Sequence, residues 1–328
     1  MNQALVRSTL KSGADPNATL AALLGPAFGE YRRRWAEAEQ GRRPAAPLHL
    51  DVDVSTACNF HCPMCPAGNS GHIFPGFRKG IFLDRGLYRQ ALAEATAFRL
   101  PSLRLGVTGE PLLVADIDDW VREAGQAGVL DISLITNGRL LSPEMSRRLI
   151  GAGLTRLMIS VDAAGPETYA KVRPGGDWAL LLSNIEAFLN IRAESQSLTP
   201  LLRISFVEMS VNQGEREAFS RIFETRADYL SFQNYLNILG TEDTDFRPSG
   251  PVALKSAGAF CPEPFTRLAL QADGGLFPCC SDFGRIKPLG RLAEDGLLKV
   301  WRSEAAEALR REGAGNLEPC RSCLKASS

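Results

Sequence analysis

The sequence predicts an α/β fold in which parallel strands form a barrel or partial barrel, followed by a small tail with few regular elements. Six strand-like runs alternate with helical segments between residues 48 and 234, which is the pattern of a parallel sheet with right-handed crossovers. No G-x-G-x-x-G motif follows the first run, so a barrel fits better than a dinucleotide-binding sheet. After residue 234 the alternation stops.

The part before the first strand is helical. Residues 18–39 have an amphipathic pattern that Gly25 and Pro26 interrupt, and residues 41–47 have the composition of a linker. A chain of 328 residues suits one large α/β unit with an appendage. We therefore expect an N-terminal helical extension with its linker at 1–47, the barrel at 48–234 and a small C-terminal domain at 235–328.

The strands and helices of the barrel are predicted from apolar runs and their spacing. The strand-like runs lie at 48–54, 102–107, 131–136, 155–160, 201–207 and 228–233. Helices are expected at 84–99, 116–127, 142–152, 178–193 and 213–226. Ser142, Pro143 and Glu144 form a good helix start, with an N-cap serine, proline at the first helical position and an acid in the first turn. In the tail we expect a hairpin at 268–280 and a helix near 294–311.

Composition and charge exclude some classes of function. The chain has 37 basic and 37 acidic residues, so it offers neither a basic footprint for nucleic acid nor a polybasic signal for a membrane surface. The N-terminal residues lack an apolar core of signal-peptide length, and no stretch of about 18 apolar residues occurs. We expect a cytoplasmic protein with no nucleic-acid or membrane partner.

The eight cysteines fall into two groups. Three lie in CNFHCPMC at 58–65, and the other five lie between residues 261 and 323. In a cytosolic chain such clustering indicates metal binding rather than disulfides. With only three histidines, His49, His61 and His72, mixed Cys/His zinc sites are poorly supported.

The spacing of Cys58, Cys62 and Cys65 is C-x3-C-x2-C. One loop with this spacing can place three thiolates around an iron-sulfur cluster and leave one iron without a protein ligand. An open coordination position is what a catalytic metal keeps for a small molecule. The alternatives are a zinc site, or a ferredoxin-type cluster that a distant cysteine completes.

CNFHCPMC after the first strand resembles the signature of the radical S-adenosylmethionine (SAM) superfamily, C-x3-C-x-aromatic-C. The resemblance implies a 4Fe-4S cluster whose fourth iron is chelated by the amino and carboxylate groups of SAM. Met64 stands where the family has an aromatic residue, and its polarizable side chain can still pack on adenine.

Three further segments resemble family motifs and follow successive strands: GVTGEP at 106–111, TNG at 136–138, and SVD at 160–162 with Tyr169 and Arg173 after it. All lie at the carboxyl ends of strands, where a parallel barrel places its chemistry. The resemblance implies cofactor-binding roles for Gly109, Glu110, Thr136, Asn137, Ser160, Asp162 and Arg173. Glu110 would receive the SAM ammonium, and Ser160 and Arg173 would serve its ribose and carboxylate.

Each of these residues also has a purely structural interpretation. Glu110 would cap the following helix, Asp162 would form a turn before Gly165, and Arg173 would be a solvated helix end. The sequence leaves both interpretations open.

The second cysteine group resembles the abbreviated SPASM domain, called a twitch domain, which carries one auxiliary 4Fe-4S cluster. CPEPF, DGGLFPCC and CRSC match its landmarks. The resemblance implies the ligands Cys261, Cys279, Cys320 and Cys323. Cys280 is then spare, because adjacent strand residues point to opposite faces. The alternative is a zinc ribbon with four cysteines.

The resemblance implies reductive cleavage of SAM to a 5′-deoxyadenosyl radical that removes a substrate hydrogen, with an external donor such as flavodoxin or ferredoxin. An auxiliary cluster that takes an electron from the substrate would allow oxidation of an alcohol to a ketone. The compact tail resembles carbohydrate and aminocyclitol dehydrogenases, which favours a small hydroxylated substrate. Arg203, Gln233, Asn234 and Tyr235 are the candidate substrate residues, although such side chains also satisfy ordinary strand ends.

Two other functions remain open. Peptide- or protein-modifying maturases are the first, and they often carry an N-terminal recognition domain larger than the 47 residues before the first strand here. A non-catalytic iron-sulfur electron carrier is the second. It would fail to cleave SAM under reducing conditions.

Overall fold

The computed structural model describes residues 15–68, 77–235, 246, 260–281 and 288–312, and the backbone of residues 8–11. The strands are β1 (Ser8–Lys11), β2 (His49–Val52), β3 (Ser102–Leu105), β4 (Asp131–Thr136), β5 (Arg156–Ser160), β6 (Leu201–Glu208), β7 (Tyr229–Asn234), β8 (Arg267–Leu270), β9 (Gly275–Phe277) and β10 (Gly290–Arg291). All six predicted barrel strands, β2 to β7, are therefore present.

The sheet is parallel across the predicted barrel and does not close on itself. Its order is β1-β7-β6-β5-β4-β3-β2-β8-β9-β10, and neighbouring strands from β2 to β7 are parallel. The edge strand β1, which the sequence did not predict, pairs antiparallel with β7. The prediction of an α/β partial barrel is confirmed.

The helices connect the strands, and those from α3 to α8, as bounded next, pack on one face of the sheet. They are α1 (Pro16–Leu24), α2 (Pro26–Glu39), α3 (Arg85–Phe98), α4 (Ile117–Gln126), α5 (Pro143–Gly151), α6 (Pro166–Val172), α7 (Trp178–Glu194), α8 (Arg216–Phe223), α9 (Glu263–Thr266), α10 (Leu292–Asp295), α11 (Leu297–Trp301) and α12 (Glu304–Glu312). The side chain of Ser142 caps α5 by accepting a hydrogen bond from the Met145 amide, as the sequence predicts.

The main hydrophobic core lies between the sheet and helices α3 to α8. Leu50 and Val52 on β2, and Val54 two residues after the strand, face this core. The alternate residues, including Asp51 and Asp53, are also buried but point to the opposite face. The inner side of the curved sheet is therefore polar.

The tail extends the sheet. The predicted hairpin is present as β8 and β9, and β8 lies parallel to β2 with Leu268 opposite Leu50. The helix expected near 294–311 is divided into α10, α11 and α12, with Gly296 between the first two at φ 73°. No helix in the described ranges has the length and apolar character needed to cross a membrane.

Candidate active site

The first cysteine loop follows the carboxyl end of β2 and is tightly wound. Cys58, Cys62 and Cys65 all line one cavity of about 160 Å³. Gly68 closes the loop, and a Cβ at this position would lie 2.5 Å from the Cys62 backbone nitrogen. Only glycine permits this close approach, which gathers the three thiols around one space.

The thiols of this loop are suited to a strongly bound cation. Burial raises the pKa of Cys58 and raises the pKa of Cys62 to about 11, so both free thiols keep their protons at neutral pH. A metal displaces such protons, because thiolate is the ligand form. Within the described ranges no three His, Cys, Asp or Glu side chains converge on a single metal ion. The three thiols instead surround a cavity, and their donor type fits an iron-sulfur cluster.

The segment after β3 packs directly on the cysteine loop. The Gly109 amide donates to the Ser55 carbonyl at 3.0 Å, and the Glu110 amide donates to the Ala57 carbonyl at 2.8 Å. A Cβ on Gly109 would lie 2.3 Å from the carbonyl oxygens of Ser55 and Ala57, so only glycine fits. The backbone of this segment therefore forms one wall of the cavity.

Asp53 fixes the same segment from inside the sheet. Its carboxylate accepts a hydrogen bond from the Thr108 amide at 3.0 Å, and the amides of Val107 and Gly109 also favour its charged form. Asp53 is 1% exposed, and this burial outweighs the hydrogen bonds and raises its pKa to about 6.

Glu110 is buried in the cavity wall with three hydrogen-bond donors around it. Its carboxylate accepts from the Thr136 hydroxyl at 2.6 Å, from the Asn137 amide at 2.8 Å and from the Leu112 amide at 3.0 Å. Burial raises its pKa, although these donors act in the opposite direction. Glu110 thus caps the short 3₁₀ turn Pro111–Leu113, as the structural interpretation expects, and it also lines the cavity.

Asn137, directly after β4, and Arg173, directly after α6, reach the cysteines from two other elements. The Asn137 side-chain amide donates to Asn59 Oδ1 at 2.7 Å and lies 4.0 Å from Cys58 Sγ. Arg173 Nη1 lies 3.8 Å from Cys62 Sγ. Burial acts to lower the pKa of Arg173, but Asp162 and Cys62 outweigh it and raise the pKa.

Asp162 holds Arg173 in place. It forms an ion pair with the guanidinium and accepts a hydrogen bond from the Val207 amide at 2.8 Å. Its backbone is left-handed, with φ 60°, a conformation that aspartate tolerates better than most residues. Arg173 is therefore a partly buried cation held in a fixed orientation, and not a solvated helix end.

Most predicted SAM-binding residues meet at one cavity. Gly109, Glu110, Thr136, Asn137, Ser160 and Arg173 line it together with the three cysteines. Asp162 contributes indirectly, through its ion pair with Arg173. Met64 packs, partly buried, against the core, and it is not among the described residues that line the cavity.

The second cysteine group begins at the opposite end of the sheet. Cys261 precedes α9 and the start of β8, while Cys279 follows β9, which runs antiparallel to β8. Both therefore lie toward the amino-terminal ends of the parallel strands. Cys320 and Cys323 lie outside the described residues.

A larger cavity of about 520 Å³ opens at this amino-terminal end. Residues from the first positions of five strands line it: His49, Ser102, Asp131, Arg156 and Tyr229. A strand of four residues rises about 13 Å, so this cavity and the cysteine loop occupy opposite ends of the sheet interior.

Of the predicted substrate residues, Arg203 lines this larger cavity. Gln233 is half-buried and Asn234 is exposed, at the other end of β7. Tyr235 is 3% exposed and packs edge-on against Phe246. The described residues that line the cavity do not include these three.

Sequence reasoning missed the polar residues on the inner face. His49 and Asp51 on β2, Arg104 on β3 and Arg267 on β8 form one buried network. The signal was present in LHLDVDV, where polar residues alternate with apolar ones, because a parallel strand buried on both faces is usually apolar throughout. The cavity also receives Tyr31 from α2, which no motif indicated.

The fold and the cysteine cavity together define an iron-sulfur protein with a parallel barrel. Residues 52–204 match the family model described as radical SAM superfamily, and residues 261–324 match that of the SPASM iron-sulfur cluster-binding domain. The chain is a member of the radical SAM superfamily with a C-terminal SPASM domain. These domains imply SAM with a 4Fe-4S cluster and auxiliary iron-sulfur binding, as the motifs predict.

Two of the curated relatives are named as GTP 3′,8-cyclases. A probable GTP 3′,8-cyclase of Methanocaldococcus jannaschii is 30% identical over 163 residues, which is 50% of this chain and 50% of that protein. The GTP 3′,8-cyclase of Rhizobium etli is 27% identical over 308 residues, covering 83% of this chain and 86% of that protein. The chain spans about half the length of several of the curated relatives it matches.

Solved structures share the fold at low identity. BtrN in complex with AdoMet and 2-DOIA has a TM-score of 0.54 at 15% identity, covering 84% of this chain and 92% of that one. Streptococcus suis SuiB bound to precursor peptide SuiA has a TM-score of 0.66 at 16% identity, covering 91% and 75%.

Proposed function

We propose that this protein cleaves SAM reductively, removes hydrogen from a hydroxylated carbon of a small substrate and oxidises that alcohol to a ketone. The preferred substrate class is a carbohydrate or aminocyclitol. An external donor such as flavodoxin or ferredoxin supplies the electron for SAM cleavage, and an auxiliary 4Fe-4S cluster accepts the electron from the substrate.

The observation that carries this proposal is the polar cavity of about 520 Å³ inside the sheet. Its wall includes Ser102, Ser133, Ser231, His49 and Arg203, which offer both donors and acceptors. Such a lining suits a ligand with many hydroxyl groups. The cavity opens at the same end of the sheet as Cys261 and Cys279, which belong to the second cysteine group.

The proposed roles at the other cavity follow from its geometry. Cys58, Cys62 and Cys65 would hold the first cluster, and the thiol donors fit it. SAM bound there supplies the radical chemistry. The chain's own task is to orient SAM with the backbone around Gly109, with Glu110 and with Arg173, whose positive charge suits a carboxylate.

A deuterium-transfer experiment tests the proposal. The reduced holoprotein is incubated with SAM and a panel of sugars and aminocyclitols that carry deuterium at each carbinol carbon. We expect one substrate to pass one deuterium into 5′-deoxyadenosine and to yield the matching ketone. Transfer from a peptide α- or β-carbon, with none from the panel, would favour a peptide-modifying maturase instead.

Cyclisation of a nucleotide is a second candidate, favoured by the names of the curated relatives. Five arginines line the larger cavity and suit a phosphate-bearing ligand: Arg32, Arg104, Arg156, Arg203 and Arg267. GTP with deuterium at the ribose 3′ carbon therefore belongs in the same panel. Transfer from GTP without ketone formation would select the cyclase and exclude the dehydrogenase.

A further inference from the structure

A buried group of charged side chains lies between the larger cavity and the second cysteine group. Arg104 on β3 and Arg267 on β8 both line the cavity, and each side chain is 13% exposed. They share the buried carboxylate of Asp51 on β2, which lies 2.7 Å from Arg104 and 3.3 Å from Arg267. Arg267 also pairs with Glu263 on α9 at 2.8 Å. The strand order β3-β2-β8 brings this group together.

Both guanidiniums keep their positive charge. Burial acts to lower the pKa of Arg104, but Asp51 outweighs burial and raises the pKa. Burial also acts to lower the pKa of Arg267, and Glu263 and Asp51 raise it. Burial opposes ionisation of Asp51, yet the two arginines and His49 hold its pKa well below the ordinary value. Removal of one arginine therefore leaves an excess of negative charge in a buried region.

The same two arginines reach the turn that carries part of the second cysteine group. Arg104 hydrogen-bonds to the Cys280 side chain, and the charge of Arg267 also acts on this thiol. Cys280 directly follows Cys279, the ligand expected from the sequence, and adjacent Cα atoms lie about 3.8 Å apart. A cluster bound through Cys279 would therefore have two buried guanidiniums close to it.

The side chains at this end of the sheet fit an iron-sulfur cluster. Cys261 and Cys279 supply thiol donors there. The Nε atom of Arg104 is buried and has no hydrogen-bond partner within the described ranges, so the guanidinium keeps a donor for a sulfur acceptor. The contact with Arg104 also gives Cys280 a partner other than iron, which agrees with its expected role as the spare cysteine.

We propose that Arg104, together with Arg267, raises the reduction potential of the auxiliary cluster and so prepares it to accept an electron. The inference rests on the function proposed above, in which this cluster is the electron acceptor. Reduction adds a negative charge to the cluster, and a buried guanidinium stabilises that charge because water and salt screen it little. Neither arginine has to touch the reacting carbon, which lies at the SAM end of the sheet.

A redox titration of the auxiliary cluster measures this effect without turnover. The full chain with alanine at Cys58, Cys62 and Cys65 should hold the auxiliary cluster alone. Dithionite then supplies one electron to one cluster, and electron paramagnetic resonance follows the reduced state. In this background we expect Arg104→Gln to lower the equilibrium constant for reduction by about tenfold, which is about 59 mV for one electron. Arg104→Lys keeps the charge and should stay closer to the background value.

Asp51→Asn should shift the potential in the opposite direction. It removes a negative charge and leaves both arginines, so we expect the equilibrium constant for reduction to rise by about tenfold. A structural disturbance alone would not reverse its sign with the sign of the charge removed. Either Arg104→Gln or Asp51→Asn tests the proposal by itself, so the proposal can still be contradicted if one of the two variants does not fold.

Arg156→Gln is the matched control. Arg156 pairs with Asp131 at 2.9 Å at the same end of the sheet, and its side chain is 11% exposed. It lies on β5, however, four strands from β8. We expect its effect on the potential to be much smaller than that of Arg104→Gln. Equal shifts in these two variants, or no shift in Arg104→Gln and Asp51→Asn, would overturn the proposal.

The outcomes separate this inference from the proposed function. If a sugar or aminocyclitol transfers deuterium and becomes a ketone, but Arg104→Gln leaves the potential unchanged, the tuning role is wrong and the dehydrogenase stands. If the potential shifts as expected but no compound of the panel transfers deuterium, the dehydrogenase is wrong and the arginines still set the potential. If the variant with alanine at Cys58, Cys62 and Cys65 holds no iron, the auxiliary cluster and this inference are both wrong.

Discussion

Arg173 Nη1 lies 3.8 Å from Cys62 Sγ, and its guanidinium is held there by Asp162, which the Val207 amide fixes in turn. This relationship joins the ends of β5 and β6 to the cysteine loop after β2. It places a permanent positive charge in the wall of the smaller cavity.

We therefore expect Arg173→Ala to weaken SAM binding by about 10- to 100-fold, because a charge-assisted hydrogen bond to the SAM carboxylate is lost. Arg139→Ala is the matched control. Arg139 is exposed and donates to the Gly175 carbonyl nearby, but it does not line the cavity. Equilibrium binding of SAM to the iron-loaded proteins measures the effect. Equal weakening in both variants would remove Arg173 from the SAM site.

Glu110→Gln separates the two interpretations of this carboxylate. The variant replaces one of two acceptor oxygens with a donor group, so we expect lower stability by about 1–3 kcal/mol and weaker SAM binding. Ser142→Ala removes a helix cap remote from the cavity and should lower stability by about 1 kcal/mol with unchanged SAM affinity. If Glu110→Gln lowers stability but leaves SAM affinity unchanged, Glu110 serves only to cap the 3₁₀ turn Pro111–Leu113.

Iron content tests the ligand assignments. We expect about eight irons in the anaerobic wild type, four in each of two clusters, and about four in the variant with alanine at Cys58, Cys62 and Cys65. Cys279→Ala and Cys280→Ala form a matched pair, because only the first should lose the auxiliary cluster. Zinc in the wild type, or full iron in the triple variant, would contradict the two-cluster assignment.

The raised pKa of Asp53 predicts that the stability of the folded protein depends on pH. The folded protein keeps its proton up to about pH 6, whereas the unfolded chain loses it near pH 3.9. This contribution is therefore complete at low pH and is lost as the pH rises through about 6. Relative to Asp53→Asn, the free energy of unfolding of the wild type should fall by about 1 kcal/mol between pH 5 and pH 7.5. Urea titrations at the two pH values measure it, and a constant difference would show that Asp53 does not titrate there.

The sequence predicts the six barrel strands because each is a short apolar run between well-marked helices. The capped start of α5 at Ser142 is one such mark. The strand β1 was missed because its stability comes from pairing with β7, a long-range contact that a local pattern does not contain. α6 was missed because Gly165 and Pro166 indicated only a turn, although Pro166 begins the helix.

The residues that line the smaller cavity were easier to predict from the sequence than those that line the larger cavity. Its residues belong to contiguous motifs at strand ends, so CNFHCPMC and GVTGEP could be found by spacing alone. The larger cavity is assembled from single residues far apart in the chain, such as Tyr31, Ser102 and Arg267. No local pattern connects residues whose proximity depends on sheet order.

The most direct test of the account is SAM cleavage by the reduced, iron-loaded protein. We expect methionine and 5′-deoxyadenosine in equal amounts from the wild type only when a reductant is present, and neither from the variant with alanine at Cys58, Cys62 and Cys65. Failure of the fully iron-loaded wild type to cleave SAM, or undiminished cleavage by the triple variant, would contradict radical chemistry at this cysteine loop.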